Sequence, residues 1–315
     1  MRSNSSGIRV DQAEGLRRLL VRNHTQVVIV ASGKPGDGRI GTTINLAAAL
    51  VRLGKEVLVL DENQSANNLL DYHRLQARYD LLDVVQENCK PNEAVWISNG
   101  FLVLSIARAM HSLAQLTLVE QQRLENALAD VSRDVEVILV NAAMPALSQG
   151  AGLTGQADVS LSAASGVSLL VVVDATTSGI TDSYALIKRL ALENARLQFE
   201  IVVNKAADPQ AALIVFGNME KVARRNLAAR LEYLGYIPHD DRLTRATQLG
   251  RSVVEAFPGS AAAKSYLELT KKLLSLPIQQ REGGGGASTV IQNLMQQVSQ
   301  PLQQHDKKLA QVVNY

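Results

Sequence analysis

Between a short aliphatic run and a helical pattern lies the stretch Ala31-Ser32-Gly33-Lys34-Pro35-Gly36-Asp37-Gly38-Arg39-Ile40-Gly41-Thr42-Thr43. Glycine accepts positive φ and lets a ligand come close to backbone that a Cβ would shield. A glycine-rich turn that opens a helix presents unpaired N–H groups and the positive end of the helix dipole, which together hold phosphate. Gly33, Gly36, Gly38 and Gly41 would form such a cradle, with Lys34 and Arg39 adding positive charge. On the glycines alone, an ordinary strand-to-helix loop is an equal alternative. A second aliphatic run ends in Asp61-Glu62-Asn63 and a later one in Asn141. The five histidines, at 24, 73, 111, 239 and 305, show no metal-ligand spacing, and no metal site is assigned to protein side chains. No G-x-S-x-G turn suggests a serine hydrolase.

The elements that must position these residues follow from the aliphatic runs. Val27-Val28-Ile29-Val30, Val57-Leu58-Val59-Leu60, Phe101-Leu102-Val103-Leu104, Val137-Ile138-Leu139-Val140, Leu169 to Val173 and Ile201-Val202-Val203 are nearly continuous hydrophobics. Strands covered on both faces read this way, whereas half-exposed strands alternate. Helical patterns at Ile44 to Leu53, Val119 to Val131 and Thr181 to Asn194 lie between them. The expected fold is α/β, a doubly wound, mostly parallel sheet with helices on both faces. Lys221, Arg224, Arg225 and Arg230 are expected on one basic helix face, which reads first as a solvated surface.

Three segments are expected. Residues 1–24 carry a helix from Asp11 to Val21, with Asp11 as N-cap, Glu14 as its capping-box partner and Ala13, Leu16, Leu19 and Leu20 as an apolar face. Residues 25–276 form the body that holds the strands and the glycine-rich loop. Residues 277–315 hold a Gly283 to Gly286 linker and a Gln-rich tail with Val290, Ile291, Leu294, Met295 and Val298 at helical spacing.

The 315 residues are 46% hydrophobic, enough for a large core, and only 4% aromatic, so that core should be aliphatic. Thirty-two Lys and Arg against 30 Asp and Glu leave a net charge of +2, without the broad basic footprint of an obligate nucleic-acid binder. The single Cys89 excludes an internal disulfide and suits a reducing cytoplasm. The first ten residues lack a signal-peptide apolar stretch, and no apolar run reaches the ~20 residues of a membrane span. The expected location is cytoplasmic, with a peripheral position at the inner face of the membrane or the cell pole left open.

The glycine-rich loop followed by Asn45-Leu46-Ala47 resembles the deviant Walker A motif of the MinD/ParA ATPases, K-G-G-x-G-K-T followed by N-L-A. The match places Lys34 at the family's signature lysine, Arg39 at the phosphate-loop lysine and Ile40 at the magnesium-ligand threonine. Leu116-Thr117 through Glu120, Ile180-Thr181-Asp182-Ser183-Tyr184-Ala185-Leu186-Ile187-Lys188, Val202-Val203-Asn204-Lys205 and Leu234-Gly235-Tyr236-Ile237-Pro238 are similar to further family stretches. Glu255 to Ser260 resembles the turn that starts the last helix of the body. The resemblance implies a SIMIBI-type P-loop fold with ATP or ADP held by Gly33, Lys34, Gly36, Gly38, Arg39, Ile40, Gly41 and Asp61, and adenine met by Asn204. Asp11-Gln12-Ala13-Glu14-Gly15-Leu16-Arg17 looks like the D-Q-A-x-x-L-R helix of the flagellar-number branch, FlhG/FleN. That branch implies an FlhF-like GTPase as partner of Asp11, Gln12, Ala13, Leu16 and Arg17. It also implies a flagellar transcriptional activator or basal-body component as partner of the body. Lys34 implies a homodimer, because in the family this lysine reaches the partner's nucleotide.

Several positions depart from the family pattern. Ile40 offers a cation no oxygen. Asn63 stands where a carboxylate orients attacking water, and Asn141 where the Walker B aspartate secures the magnesium shell. Pro35 lacks an N–H, and Asp37 puts a negative charge beside the phosphate site. These changes place Mg²⁺ in doubt and predict slow or absent hydrolysis. The expected function is a flagellar regulator working through protein contacts, the alternative an active MinD/ParA-type switch for polar or membrane positioning. Lys307 and Lys308 give the tail thin basic support, so membrane contact is expected to be weak.

Overall fold

A computed structural model describes residues 25–63, 69–73, 77–143, 167–193, 198–227 and 229–276. The Asp11 to Val21 helix and the Gln-rich tail expected from the sequence lie outside the described residues.

The strands are β1 (Gln26–Ser32), β2 (Val57–Asp61), β3 (Val95–Ser98), β4 (Phe101–Ser105), β5 (Val137–Asn141), β6 (Ser168–Asp174), β7 (Gln198–Ala206) and β8 (Arg230–Pro238). They form one sheet in the order β3-β4-β2-β5-β1-β6-β7-β8. All neighbours are parallel except β3, which pairs antiparallel with β4 at the edge. The helices are α1 (Arg39–Arg52), α2 (Leu69–His73), α3 (Leu81–Val85), α4 (Pro91–Ala94), α5 (Ala107–Ser112), α6 (Leu118–Val131), α7 (Thr177–Glu193), α8 (Pro209–Asn226), α9 (Asp241–Gln248), α10 (Val253–Ala256) and α11 (Ala261–Ser275).

Continuous hydrophobic strands need cover on both faces, and each face has its own core. Val27, Ile29 and Ala31 of β1 join the side chains of α3, α5, α6, α7 and α8. Val28 and Val30 join those of α1, α9, α10 and α11. The period-two alternation of a strand thus sends successive residues into opposite layers. All six aliphatic runs are strands, and β5, β1 and β6 are buried along their whole length.

Helix starts follow side-chain chemistry. Thr117 caps α6 and closes a reciprocal capping box with Glu120, while Ser260 caps α11 as the Glu255 to Ser260 stretch implied. Asn45 is fully buried, donating to the Gly41 carbonyl at 2.7 Å and accepting from the Val253 N–H at 2.7 Å. It fastens α1 to α10 and so fixes the helix whose first turn borders the glycine-rich loop. The basic face is corrected: Arg230 begins β8 and pairs with Glu232, while Arg224 on α8 pairs with Glu220. The cause is that α8 ends at Asn226, a stop that periodicity alone does not mark.

Candidate functional site

β1 is flanked by β5 on one side and β6 on the other, so the chain leaves in opposite directions from this central strand. In an open α/β sheet, the crevice beyond the strand ends at such a reversal is where ligands bind. The glycine-rich loop occupies it. Gly36 and Gly38 hold φ of 88° and 97°, the left-handed region that favours glycine. Gly38 is the N-cap of α1 and supplies no side chain, so the first-turn N–H groups of α1 face the crevice without a side-chain cap.

The loop is held from outside. A Cβ on Gly33 would lie 2.2 Å from the Ser183 nitrogen, so the loop packs directly on the backbone of α7. Lys34 donates to Ser178 Oγ at 2.5 Å and pairs with Asp182 at 3.2 Å; both ion-pair partners are about one-third exposed, so solvent screens the attraction. Asn204 donates its amide to the Asp37 carbonyl at 2.8 Å. Lys205 adopts φ of 57° and pairs with Asp174 at 2.5 Å. A non-glycine residue in this region is held there by its surroundings.

Asp37 is buried, accepts from the Lys34 N–H at 3.2 Å, and leaves its other oxygen without a partner. Burial pushes its carboxyl above the usual range, the Lys34 N–H and charge pull it back, and Asp174 and Asp182 push it up further. Its folded pKa therefore exceeds the unfolded one, and the ionised form costs stability as pH rises between the two. Asp37→Asn is expected to gain about 1 kcal/mol at neutral pH, because the amide carries no charge for burial to penalise. The gain should vanish below about pH 4, where the wild-type carboxyl is protonated in both states. Urea unfolding of both proteins across this pH range measures it.

Across the loop, the ends of β2 and β5 meet the start of α1. Asp61 accepts from the Leu69 N–H at 2.7 Å on one oxygen. Its other oxygen accepts from the Asn63 N–H at 3.1 Å, the Asn63 amide at 2.9 Å and the Asn141 amide at 2.9 Å. Arg39 is buried and turns its guanidinium to this cluster, donating to the Ala142 carbonyl and to Asn63 Oδ1 at 2.8 Å. Glu62 accepts from the Ala143 N–H at 2.8 Å. Burial lowers the Arg39 pKa from its ordinary value, and the charges of Asp61 and Glu62 oppose that shift. Thr43 donates back to the Arg39 carbonyl at 3.0 Å and Thr42 is fully buried, so neither hydroxyl replaces the missing oxygen at Ile40.

Together these elements border a cleft of about 740 Å³, large enough for a nucleotide. Of the residues read from the sequence, Lys34, Gly36, Gly38, Arg39, Ile40, Gly41 and Asn204 line it. Gly33 lies behind the loop against α7, and Asp61, Asn63 and Asn141 lie beneath Arg39. Sequence reasoning missed His239, Asp240, Tyr72 and Tyr266, which also line the cleft. His239 and Asp240 follow directly on the Leu234 to Pro238 stretch, a signal that stopped two residues short. Tyr266 sits at apolar helical spacing in α11 and reads as core.

A family model described as an AAA domain matches residues 25–199. The antiactivator FleN of Pseudomonas aeruginosa is 34% identical over 254 residues, covering 80% of this chain and 88% of FleN. The chain belongs to the MinD/ParA family, in its FlhG/FleN-type branch. The flagellum site-determining protein YlxH of Helicobacter pylori is 25% identical, covering 81% of this chain and 83% of YlxH. The crystal structure of the cell division ATPase MinD of Pyrococcus furiosus aligns with a TM-score of 0.57 at 22% identity, covering 80% of this chain and 99% of MinD, a likeness of fold.

The MinD of Pyrococcus horikoshii is solved in complex with Mg-ADP, and the donor set here can be compared with what such a cation needs. Mg²⁺ takes near-octahedral oxygen ligands, commonly a hydroxyl and one or two carboxylates besides water and phosphate. At this cleft the helix offers Ile40, the strand ends offer two carboxamides, and Asp61 already accepts four hydrogen bonds. Of such a set, Ile40 supplies no hydroxyl, and Asn141 supplies an unpartnered amide oxygen in place of a carboxylate. Among the described residues, no cluster of His, Cys, Asp and Glu has metal-site geometry, and no helix is long and apolar enough to cross a membrane.

Proposed function

We propose that this protein regulates flagellar number or placement through protein contacts, binding ATP or ADP weakly and hydrolysing it slowly or not at all. The observation that carries the regulatory reading is the 34% identity with an antiactivator over most of that protein's length. The nucleotide reading is supported by the glycine-rich loop, the uncapped start of α1 and the 740 Å³ cleft beside them. Slow hydrolysis is supported by Ile40, Asn63 and Asn141, which leave no carboxylate to orient water and no hydroxyl for a cation.

The branch identity extends the proposal to partners. Asp11, Gln12, Ala13, Leu16 and Arg17 would dock on an FlhF-like GTPase, a short amphipathic helix suiting a groove. The body would meet a flagellar transcriptional activator or a basal-body component. Mixed with the GTPase, the wild-type protein is expected to raise GTP turnover by about tenfold or more, as a group added to the transition state does. Gln12→Ala should bind equally and stimulate little. Equal stimulation by both forms would remove Gln12 from the reaction, and no stimulation by either would remove the GTPase as partner.

The alternative, a cycling MinD/ParA-type switch, draws on Lys34, which lines the cleft. A homodimer in which Lys34 reached a second subunit would have to give up Ser178 and Asp182, an exchange that its partly exposed ion pair makes inexpensive.

A further inference from the structure

We propose that the Arg39 guanidinium is a built-in replacement for the divalent cation, so that this chain binds nucleotide without metal. The inference rests on the nucleotide reading above and goes further, naming what neutralises the strand ends. Asp61 and Glu62 are both buried carboxylates at the end of β2. Buried carboxylates need a counter-charge or strong hydrogen bonds. Arg39 supplies the charge, since both acids act on it, and its two terminal nitrogens are anchored on Ala142 and Asn63.

The carboxamides make this arrangement possible. Asn141 donates to Asp61 at 2.9 Å, a bond that an aspartate could not make without a shared proton. Asn63 works at both ends, donating to Asp61 and to the Asn141 carbonyl while accepting from Arg39. A divalent cation entering here would have to displace a guanidinium and break the bonds that already satisfy Asp61, while Asn141 Oδ1, a neutral amide oxygen, has no partner. Arg39 Nε is buried without an acceptor in the protein, and the residue lines the cleft, so the guanidinium keeps donor capacity beyond its bonds to Ala142 and Asn63. Arg39, Lys34 and the N–H groups of α1 then share the phosphate charge.

The test titrates the full-length protein with fluorescent ADP and ATP analogues, once with excess Mg²⁺ and once with EDTA. The wild-type dissociation constants are expected to agree within about twofold, since a ligand favours only a state for which it has differential affinity. Arg39→Gln should weaken binding about tenfold or more, with Mg²⁺ restoring nothing, and if that variant unfolds the wild-type comparison between the two buffers decides alone. Mg²⁺ tightening wild-type binding tenfold, or rescuing Arg39→Gln, would overturn the inference while leaving the nucleotide reading standing. Absence of binding in both buffers would remove the nucleotide reading and this inference with it. A separate readout needs no nucleotide: the wild-type melting temperature should not move when millimolar Mg²⁺ is added. A rise of about 2 °C or more would reveal a cation bound to the folded state and overturn the inference on its own.

Discussion

Arg39→Lys, Ile40→Thr, Asn63→Asp and Asn141→Asp, made together, are expected to raise Mg²⁺-dependent ATP hydrolysis about 10²-fold or more over the wild type. One transition-state electrostatic group is commonly worth ~10²–10³ in rate, and the three missing groups are restored at once beside the family's loop lysine. The single changes should each do little, because groups that act as a unit do not contribute separately. Ile40→Thr alone would add a hydroxyl beside a guanidinium, and Asn63→Asp alone would lose the amide that reaches Asp61 and the Asn141 carbonyl. Steady-state phosphate release by the wild type, the four single variants and the quadruple variant decides it. Wild-type turnover already equal to that of the quadruple variant would show that Ile40, Asn63 and Asn141 do not limit the reaction.

Asn141→Asp by itself is expected to lower stability by about 3 kcal/mol at neutral pH, the scale of leaving a buried charge without its partner. Burial already holds the Asp61 carboxyl above its usual range, and the bonds from Leu69, Asn63 and Asn141 pull it back. The substitution removes one of those bonds and sets a second carboxylate at the same contact, 2.9 Å away in the wild type. Two carboxylates that close share a proton, so the pair's folded pKa rises above the unfolded value near 4. A folded pKa raised in this way makes the penalty complete above it and absent below the unfolded pKa. The deficit, measured by urea unfolding, should therefore shrink as pH falls from 8 toward about 4. A deficit independent of pH would mean that geometry, not charge, is what Asn141 supplies.

Both predictions turn on contacts whose residue types were visible in the sequence but whose pairing was not. Ile40, Asn63 and Asn141 could be marked as departures from the family pattern, because a hydrocarbon has no ligand oxygen and an amide no charge in any setting. That Asn141 meets Asp61, 80 positions away in the chain, depends on β2 lying beside β5 in the sheet. Likewise the hold of Ser178 and Asp182 on Lys34 depends on α7 following β6, the neighbour of β1.

The sequence by itself determined the strand-and-helix alternation, the glycine-rich loop at the first strand's end, and the replacement of a hydroxyl and two carboxylates of the family pattern at Ile40, Asn63 and Asn141. Local periodicity and side-chain chemistry suffice for these. It missed β3, whose four residues pair on one side only and leave Ile97 exposed, so neither continuous burial nor length marked the run. It also put Arg230 on a helix that had already ended. Only the tertiary structure decided that Arg39 turns toward the strand ends and that the two carboxamides bind Asp61 between them. Strand order brings distant segments within hydrogen-bond reach, and burial then requires each polar group there to find a partner.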